Sequence, residues 1–309
     1  DAPEGDLDLR RESGAWVIEN GYPATFEQVK KTLVAIADLE IIEEKTSNPE
    51  RYARLGVQDP TGDDAGDDQP SPRVLSLFDD SGAVVASLLI GKTEPGGRAY
   101  VRVPGQATSW LVEGDLTLQA TRTTWVETEV LAIGRDRIRS VVIEHPDQTI
   151  ILGPNSETDT NFDILNLPPD LAPLRDGVGN NTAYALSYVA LTDVAPVGDV
   201  DFTDAARGTW QLDNGVAIVV WTRMEDDHAW IRIEAVAPDD ATQDALDEVE
   251  SLNGRLGGWA FRIAAFKAGY LAETLERLTK AKPVEEGAVG PAAPWEDEAP
   301  PPVPTGGGG

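Results

Sequence analysis

Short apolar runs separated by turn residues recur along the chain, and this pattern restricts the fold to one built on antiparallel strands. A first hairpin is predicted around Ser13-Gly14, and a second joins two apolar runs across Asp80-Ser81-Gly82. A third turn is predicted at His145–Gln148, again between apolar runs. Short connections of this kind join neighbouring antiparallel strands, so the sequence favours meander sheets.

One amphipathic helix is predicted between the first hairpin and the later strands. Thr25 is the expected N-cap, with Gln28 as its capping-box partner. Five apolar side chains follow at helical spacing: Phe26, Val29, Leu33, Ile36 and Leu39. A strand is expected next, over residues 40–44. A helix packed on a meander of strands is typical of the α+β class.

The order of predicted elements repeats, which indicates an internal duplication. The predicted class is α+β, with two similar units of antiparallel meander sheet and packed helix, C-terminal helices and a disordered tail. Residues 181–190 are the expected counterpart of the first helix, and residues 8–112 and 150–235 are expected to superpose. The predicted boundaries are 1–115 for the first unit, 116–147 for a connecting helix and strand, 148–240 for the second unit, 241–282 for C-terminal helices and 283–309 for the tail.

Composition excludes several classes of function. The chain has 309 residues, with 54 acidic and 25 basic side chains and a formal charge of −29. Such a surface repels nucleic-acid phosphates and anionic lipids, and leaves a solvated surface or a basic protein partner as alternatives. The absence of cysteine excludes disulfides, thiolate nucleophiles and cysteine-type metal sites. No run reaches the roughly 18–20 apolar residues of a membrane helix, and the chain opens without a signal peptide. We expect either a cytosolic protein or one whose targeting segment has been removed.

The residues that usually carry catalysis are scarce. The two histidines, His145 and His228, each lie beside a predicted turn, and neither has the setting of a Ser-His-Asp triad. Gly91-Lys92-Thr93 resembles the end of a phosphate-binding loop but lacks the earlier glycine and the following helix. The sequence therefore predicts no catalytic residue, no cofactor site and no metal site.

Two further features leave alternatives open. The loop from Asp59 to Asp68 carries five aspartates, which favours a solvated loop and leaves a weak calcium site as the alternative. The tryptophans lie in or beside predicted elements, where core or interface packing and sugar stacking both remain open.

The run Tyr52-Ala53-Arg54-Leu55-Gly56 is predicted to form one helical turn that docks on the sheet. Tyr52 and Leu55 are three residues apart, so both are expected on the buried face. Gly56 is expected in the left-handed conformation that ends such a turn. The alternative is an exposed partner-binding motif.

A set of ordered motifs resembles a known bacterial family. The motifs are Trp16–Ala24, Ser47–Pro60, Leu88–Lys92, Tyr100–Val103, Trp110–Val112, Thr124–Leu131 and Gly257–Lys267. Together they resemble the domain of unknown function 4340 family over roughly residues 7–280. The resemblance implies an extracytoplasmic protein with an N-terminal membrane helix, encoded near ABC transporter components similar to gliding-motility proteins. It implies no catalytic residue.

The resemblance and the residues together predict a non-catalytic extracytoplasmic accessory module of an ABC-transporter-type or cell-envelope assembly. Its partners would be protein components of that complex. It would be periplasmic and held at the inner membrane by a helix missing from this sequence. The alternative is an envelope polysaccharide-binding protein or a carboxylate-dependent hydrolase.

Overall fold

The computed structural model describes residues 7–60, 73–116, 121–156 and 158–282. The strands in these ranges are β1 Leu9–Glu12, β2 Ala15–Ile18, β3 Glu40–Thr46, β4 Arg73–Phe78, β5 Val84–Glu94, β6 Arg98–Arg102, β7 Ser109–Glu113, β8 Glu129–Leu131, β9 Ile138–Glu144, β10 Thr149–Gly153, β11 Asp163–Ile164, β12 Leu171–Pro173, β13 Val189–Ala190, β14 Asp193–Pro196, β15 Ala206–Leu212, β16 Ala217–Met224, β17 His228–Val236, β18 Trp259–Ala264 and β19 Thr279–Ala281. The helices are α1 Phe26–Ala37, α2 Tyr52–Leu55, α3 Asn180–Ala183, α4 Gln243–Leu256, α5 Ala265–Leu271 and α6 Leu275–Leu278. The predicted α+β class is confirmed. Within these ranges no helix has the length and apolar character needed to cross a bilayer.

The first hairpin forms where the sequence predicts it. Strands β1 and β2 pair antiparallel across Ser13 and Gly14, whose φ angles are 48° and 91°. Two positive φ angles in a two-residue loop match the twist of a hairpin. Ile18 at the end of β2 is fully buried, and Tyr22 packs edge-on against Trp259 at 5.0 Å between ring centroids. The hairpin therefore packs on the larger of the two cores.

Helix α1 begins at the predicted residue but is capped differently. Thr25 is the N-cap, yet its side chain accepts no capping hydrogen bond, so the predicted capping box with Gln28 is wrong. The backbone oxygen of Thr25 accepts from Gln28 and Val29, and its N–H donates to the Trp125 carbonyl. Val29 is buried in the large core, whereas Ile36 packs on the small one. Helix α1 thus lies between the two cores.

A five-stranded antiparallel sheet has the order β3-β7-β6-β5-β4. The first strand in sequence pairs with the last, and both β3 and β4 are edge strands. Its face toward α1 carries the small core, whose buried members are Ile90, Ala99, Val101, Val112 and Leu116. The turn between β4 and β5 is the predicted one, where the Asp79 carboxylate accepts from the backbone of Ser81 and Ala83. Its side chain thereby fixes the turn.

An eight-stranded sheet has the order β11-β10-β9-β15-β16-β17-β18-β14. Its last five strands, read from β14, follow the same order as β3-β7-β6-β5-β4. Helix α4 interrupts the meander between β17 and β18 and packs on β17. Trp210 on β15 is fully buried at the centre, and its indole N–H donates to the Thr182 carbonyl at 3.1 Å.

Three predicted elements differ from the structure. The helix expected within residues 120–137 is wrong, because Glu129–Leu131 forms β8 and pairs with β13. The segment 241–282 is not entirely helical, because Trp259–Ala264 forms β18 between β17 and β14. The expected helix at 181–190 is only the four-residue α3, followed by a 3₁₀ turn and β13. In each case long-range pairing overrides the local pattern. The tail at 283–309 lies outside the described residues.

The Tyr52–Gly56 run docks on the small sheet, as predicted. Tyr52 is buried against the guanidinium of Arg102, 4.4 Å from its ring centroid, and Gly56 is left-handed at φ 74°. Leu55 is only half-buried, so the expected full burial is wrong. The reason is that its carbonyl, rather than its side chain, faces Gly91 on β5. The run therefore packs against β5 and β6 at this site.

Gly91→Ala is expected to destabilise the protein. A Cβ at this position would lie 2.2 Å from the Leu55 carbonyl oxygen, so either β5 or the docked turn must move. Overpacking against backbone costs about 1–3 kcal/mol. Urea denaturation of Gly91→Ala and Gly254→Ala measures this. Gly254 on α4 has open space around it, so its substitution should instead stabilise by up to about 1 kcal/mol. A Gly91→Ala midpoint equal to that of the parent would refute the close approach.

Tyr52→Phe is expected to lower the free energy of unfolding by about 1 kcal/mol. The Tyr52 hydroxyl donates to the Ala107 carbonyl, and its removal leaves that carbonyl without this partner. Chemical denaturation is the measurement. Tyr188→Phe is the control, because Tyr188 is exposed and its loss should be neutral. Equal midpoints for the two variants would show that the Tyr52 hydroxyl does not hold the β6–β7 connection.

Candidate interaction surface

The two histidines lie at turns, as predicted, and the fold does not bring them together. His145 follows β9, and its Nε2 lies 2.9 Å from the Glu273 carbonyl oxygen. His228 begins β17, with Asp227 at 2.5 Å and Glu225 at 2.7 Å from its ring nitrogens. Strands β9 and β17 are three positions apart in the sheet, or about 14 Å.

A buried carboxylate that the sequence did not reveal lies near His145. Glu273, after α5, is 3% exposed, and burial raises the pKa of its carboxyl. The Thr274 N–H at 3.1 Å and the Arg277 guanidinium at 3.3 Å partly offset this effect. With 54 acidic residues in the chain, nothing local distinguishes this one. Its contacts link α5 and α6 to α3 and to the β9–β10 turn.

The remaining candidate groups are separated. Lys92 is exposed on β5, and a strand rather than a helix surrounds Gly91-Lys92-Thr93. Asp59 pairs with Arg102 at 2.8 Å, while Asp63, Asp64, Asp67 and Asp68 lie outside the described residues. In the ranges that the structure describes, no three His, Asp or Glu side chains are grouped so as to hold a metal ion.

The seven described tryptophans are buried or half-buried. Trp125 and Trp210 belong to the large core, and Trp16 and Trp259 pack against it. Trp110 packs on the small core. Five of the seven therefore lie in or against the two cores, whereas Trp221 and Trp230 are half-buried outside both.

Exposed apolar side chains concentrate on the five-stranded sheet and α1. Nine of the sixteen large apolar side chains that are exposed among the described residues lie between residues 26 and 85. Four of them form what we name the β4–β5 surface: Val74, Phe78, Val84 and Val85. Val85 is 68% and Phe78 58% exposed. Single exposed apolar residues are ordinary, but a contiguous group marks an interaction site.

The edge of β4 adds backbone groups to this surface. In the described part of the chain, β4 pairs only with β5, and its register is regular from Arg73 to Leu77. Residues 74–78 carry no charge. Edge strands are usually protected by charge, proline or bulges. On β4 these features are confined to the two ends, with Arg73 at the start and a register shift between Leu77 and Phe78, so the length from Val74 to Leu77 is the part that can accept a further strand.

The other edge of the same sheet is protected. Strand β3 exposes Ile41 and Ile42, but it also carries Glu40, Glu43 and Glu44, and its pairing with β7 is irregular at two places. Acidic side chains and bulges both oppose strand addition. Strand β4 is therefore the better candidate edge.

The comparisons with known proteins identify the family. A family model described as domain of unknown function (DUF4340) matches residues 16–215. The chain belongs to this family. No curated protein and no solved structure matches the chain. The family match extends from β2 to the end of β15, so it includes the whole five-stranded sheet and both motifs that meet at Arg102 and Gly91.

Glu273→Gln is expected to change how the stability of this DUF4340 protein depends on pH. A raised pKa in the folded state means that the native protein binds the proton more tightly, so this carboxyl makes unfolding easier as pH rises. The variant should therefore gain stability relative to the parent between about pH 4 and about pH 7.

The measurement is urea denaturation at both pH values. Glu276→Gln is the control, because Glu276 is exposed one turn away. A parallel pH dependence in Glu273→Gln and the parent would show that the carboxyl is not buried in solution.

Proposed function

We propose that the protein is a non-catalytic, extracytoplasmic accessory module that binds a protein partner through the β4–β5 surface. The observation that carries this proposal is the edge of β4, uncharged and regular from Val74 to Leu77, beside four exposed apolar side chains. The proposed occupant is an extended, apolar segment of the partner, added antiparallel to β4. Such addition supplies backbone hydrogen bonds for affinity and side-chain pockets for specificity.

The larger sheet contains an example of the same strand addition within this chain. Strands β3 to β7 and the strands β14, β15, β16, β17 and β18 follow one order, and each first strand is followed by a 3₁₀ turn. The proposal includes that these are two copies of one duplicated unit. In the second copy, β9 pairs with the free side of β15, from Ile138 to Glu144. The equivalent position beside β4 is the one that the partner strand takes.

The partner class rests on the family. The resemblance implies a periplasmic protein held at the inner membrane by an N-terminal helix, near ABC-transporter-type components. The proposed partner is therefore a protein component of such an envelope assembly. The charge of −29 supports a protein rather than a nucleic acid or an anionic lipid surface. Five of the seven described tryptophans lie in or against the two cores, which supports this reading over an envelope polysaccharide-binding protein or a carboxylate-dependent hydrolase.

Site-specific photocrosslinking tests the proposal. A benzophenone amino acid at Phe78 is expected to give one discrete adduct with an envelope-complex protein, identified by mass spectrometry in the source bacterium. The same amino acid at Phe266 is the matched control, because Phe266 is 75% exposed on α5 of the other unit. No discrete adduct is expected there.

A second substitution tests the binding mode. Val74→Lys places a charge on the β4 edge and should abolish the Phe78 adduct without lowering the melting temperature. Val236→Lys, at an exposed valine on β17, should leave the adduct intact. Equal adducts at Phe78 and Phe266, an adduct with a second copy of the chain, or an adduct that survives Val74→Lys would contradict the proposal.

A further inference from the structure

Three Asn-Gly pairs occur in the chain, and the fold holds them differently. They are Asn20-Gly21, Asn214-Gly215 and Asn253-Gly254. A glycine after asparagine favours loss of the side-chain amide, because without a Cβ its backbone nitrogen can approach the asparagine Cγ closely. The attack requires that this nitrogen and the side-chain amide first leave their hydrogen bonds. The contacts around each pair therefore decide which one reacts.

The pair on α4 is firmly held. Asn253 lies within the helix, so Gly254 takes part in its backbone hydrogen bonding. The Asn253 side chain also binds both backbone groups of Ala235 on β17, with its Nδ2 donating and its Oδ1 accepting at 2.8 Å each. Attack by the Gly254 nitrogen would require α4 to unwind and to leave the sheet.

The pair that follows β2 is held against the large sheet. Asn20 is half-buried; its Nδ2 donates to the Val194 carbonyl at 2.8 Å, and its Oδ1 accepts from the Tyr22 N–H at 3.0 Å. The Gly21 N–H donates to the Ile18 carbonyl at 2.8 Å, and Ile18 is fully buried. Reaction here would require the first hairpin to leave β14.

The pair in the turn between β15 and β16 is held least. Asn214 is exposed, and its Oδ1 accepts from the Val216 N–H only at 3.3 Å. The Gly215 N–H donates to the Leu212 carbonyl at 3.2 Å, so both contacts are at the long end for hydrogen bonds. A shorter contact runs from the Asn214 Nδ2 to the Glu248 carboxylate on α4, at 2.8 Å. Movement of the turn alone therefore frees both reacting groups.

We propose that Asn214 is a site of spontaneous deamidation, with water as the co-reactant. The Gly215 nitrogen loses its proton to the solvent and forms a bond to the Asn214 Cγ. The Cγ–Nδ2 bond breaks, and the Nδ2 takes up a proton and leaves as ammonia. Water then opens the succinimide ring at either carbonyl, which gives aspartate or isoaspartate at position 214. The site lies in the larger sheet and is independent of the β4–β5 surface.

The product would alter an ion cluster that joins this turn to α4. Arg137 donates to both carboxylate oxygens of Glu248, at 2.7 and 3.0 Å, and pairs with Asp213 at 3.3 Å. The Arg137 hydrogen bond is the largest cause of the lowered pKa of the Glu248 carboxyl, and the Asn214 bond adds to it. A carboxylate at position 214 cannot donate, and it repels Glu248. Deamidation therefore weakens the attachment of the turn to α4.

Peptide mapping of the full chain after prolonged incubation in mildly alkaline buffer tests the site. Trypsin places the three pairs in separate peptides, which cover residues 12–30, 208–223 and 233–255. The 208–223 peptide should lose its asparagine at least about tenfold faster than the other two, a difference of about 1.4 kcal/mol in activation free energy. Incubation in heavy-oxygen water should label the new carboxyl group, and electron-transfer fragmentation should find isoaspartate at position 214. Circular dichroism shows that the chain stays folded.

Substitutions measure the consequence for α4. Asn214→Asp, which copies the aspartate product, should lower the melting temperature by about 2–4 °C. Asn181→Asp is the matched control, because it adds the same charge at an exposed position on α3. Adding Glu248→Gln to Asn214→Asp should restore the melting temperature, since the glutamine amide can then donate to the new carboxylate.

Faster conversion of Asn20 or Asn253 would overturn the site, and so would a 208–223 peptide that keeps its asparagine throughout. Equal melting temperatures for Asn214→Asp and Asn181→Asp would show that the amide does not join the turn to α4. Failure of Glu248→Gln to restore stability would contradict repulsion by Glu248 as the cause.

Discussion

The buried guanidinium of Arg102 is the interaction on which the arrangement of the small sheet depends. It is 2% exposed, and its Nε donates to the Val57 carbonyl at 2.8 Å and its Nη1 to the Gln106 carbonyl at 3.0 Å. Asp59 supplies the negative charge and Tyr52 the stacked ring. A buried charge is tolerated only when it is paired and its N–H groups are bonded. Arg102 therefore fixes the segment before residue 60 on the sheet that the later strands build.

The contacts around Arg102 were only partly predictable from the sequence. The Tyr52 run, Gly91 and Arg102 belong to three of the motifs that carry the family resemblance, and the structure brings them together. Turn chemistry predicted that the run docks, and the left-handed Gly56 followed from it. The role of Arg102 could not be predicted from the sequence, because the pattern of a strand does not indicate which loop a side chain contacts. Contacts between distant segments decide such roles.

The wrong and missing predictions also concern features that contacts between distant segments decide. Residues 259–264 were predicted to be helical because helical patterns flank them in the sequence. Pairing with β17 on one side and β14 on the other makes them a strand. Glu273 could not be distinguished among so many acidic residues, since its burial is a tertiary property. The β4–β5 surface was read as two ordinary strands. Its apolar residues look like core residues, and only the three-dimensional packing shows that nothing described covers them.

The five-stranded sheet pairs its first strand in sequence with its last, as do the five strands β14 to β18 of the larger sheet, and this has a consequence during synthesis. Thr46 pairs with Ser109, and Pro196 pairs with Trp259, so 63 residues separate the partners in each case. At about 5–20 residues per second, a ribosome adds that length in about 3–13 s. During this interval β3, and later β14, has left the ribosome without its neighbour. The rate of translation therefore sets the minimum time for which each of these two strands stays unpaired in the cell.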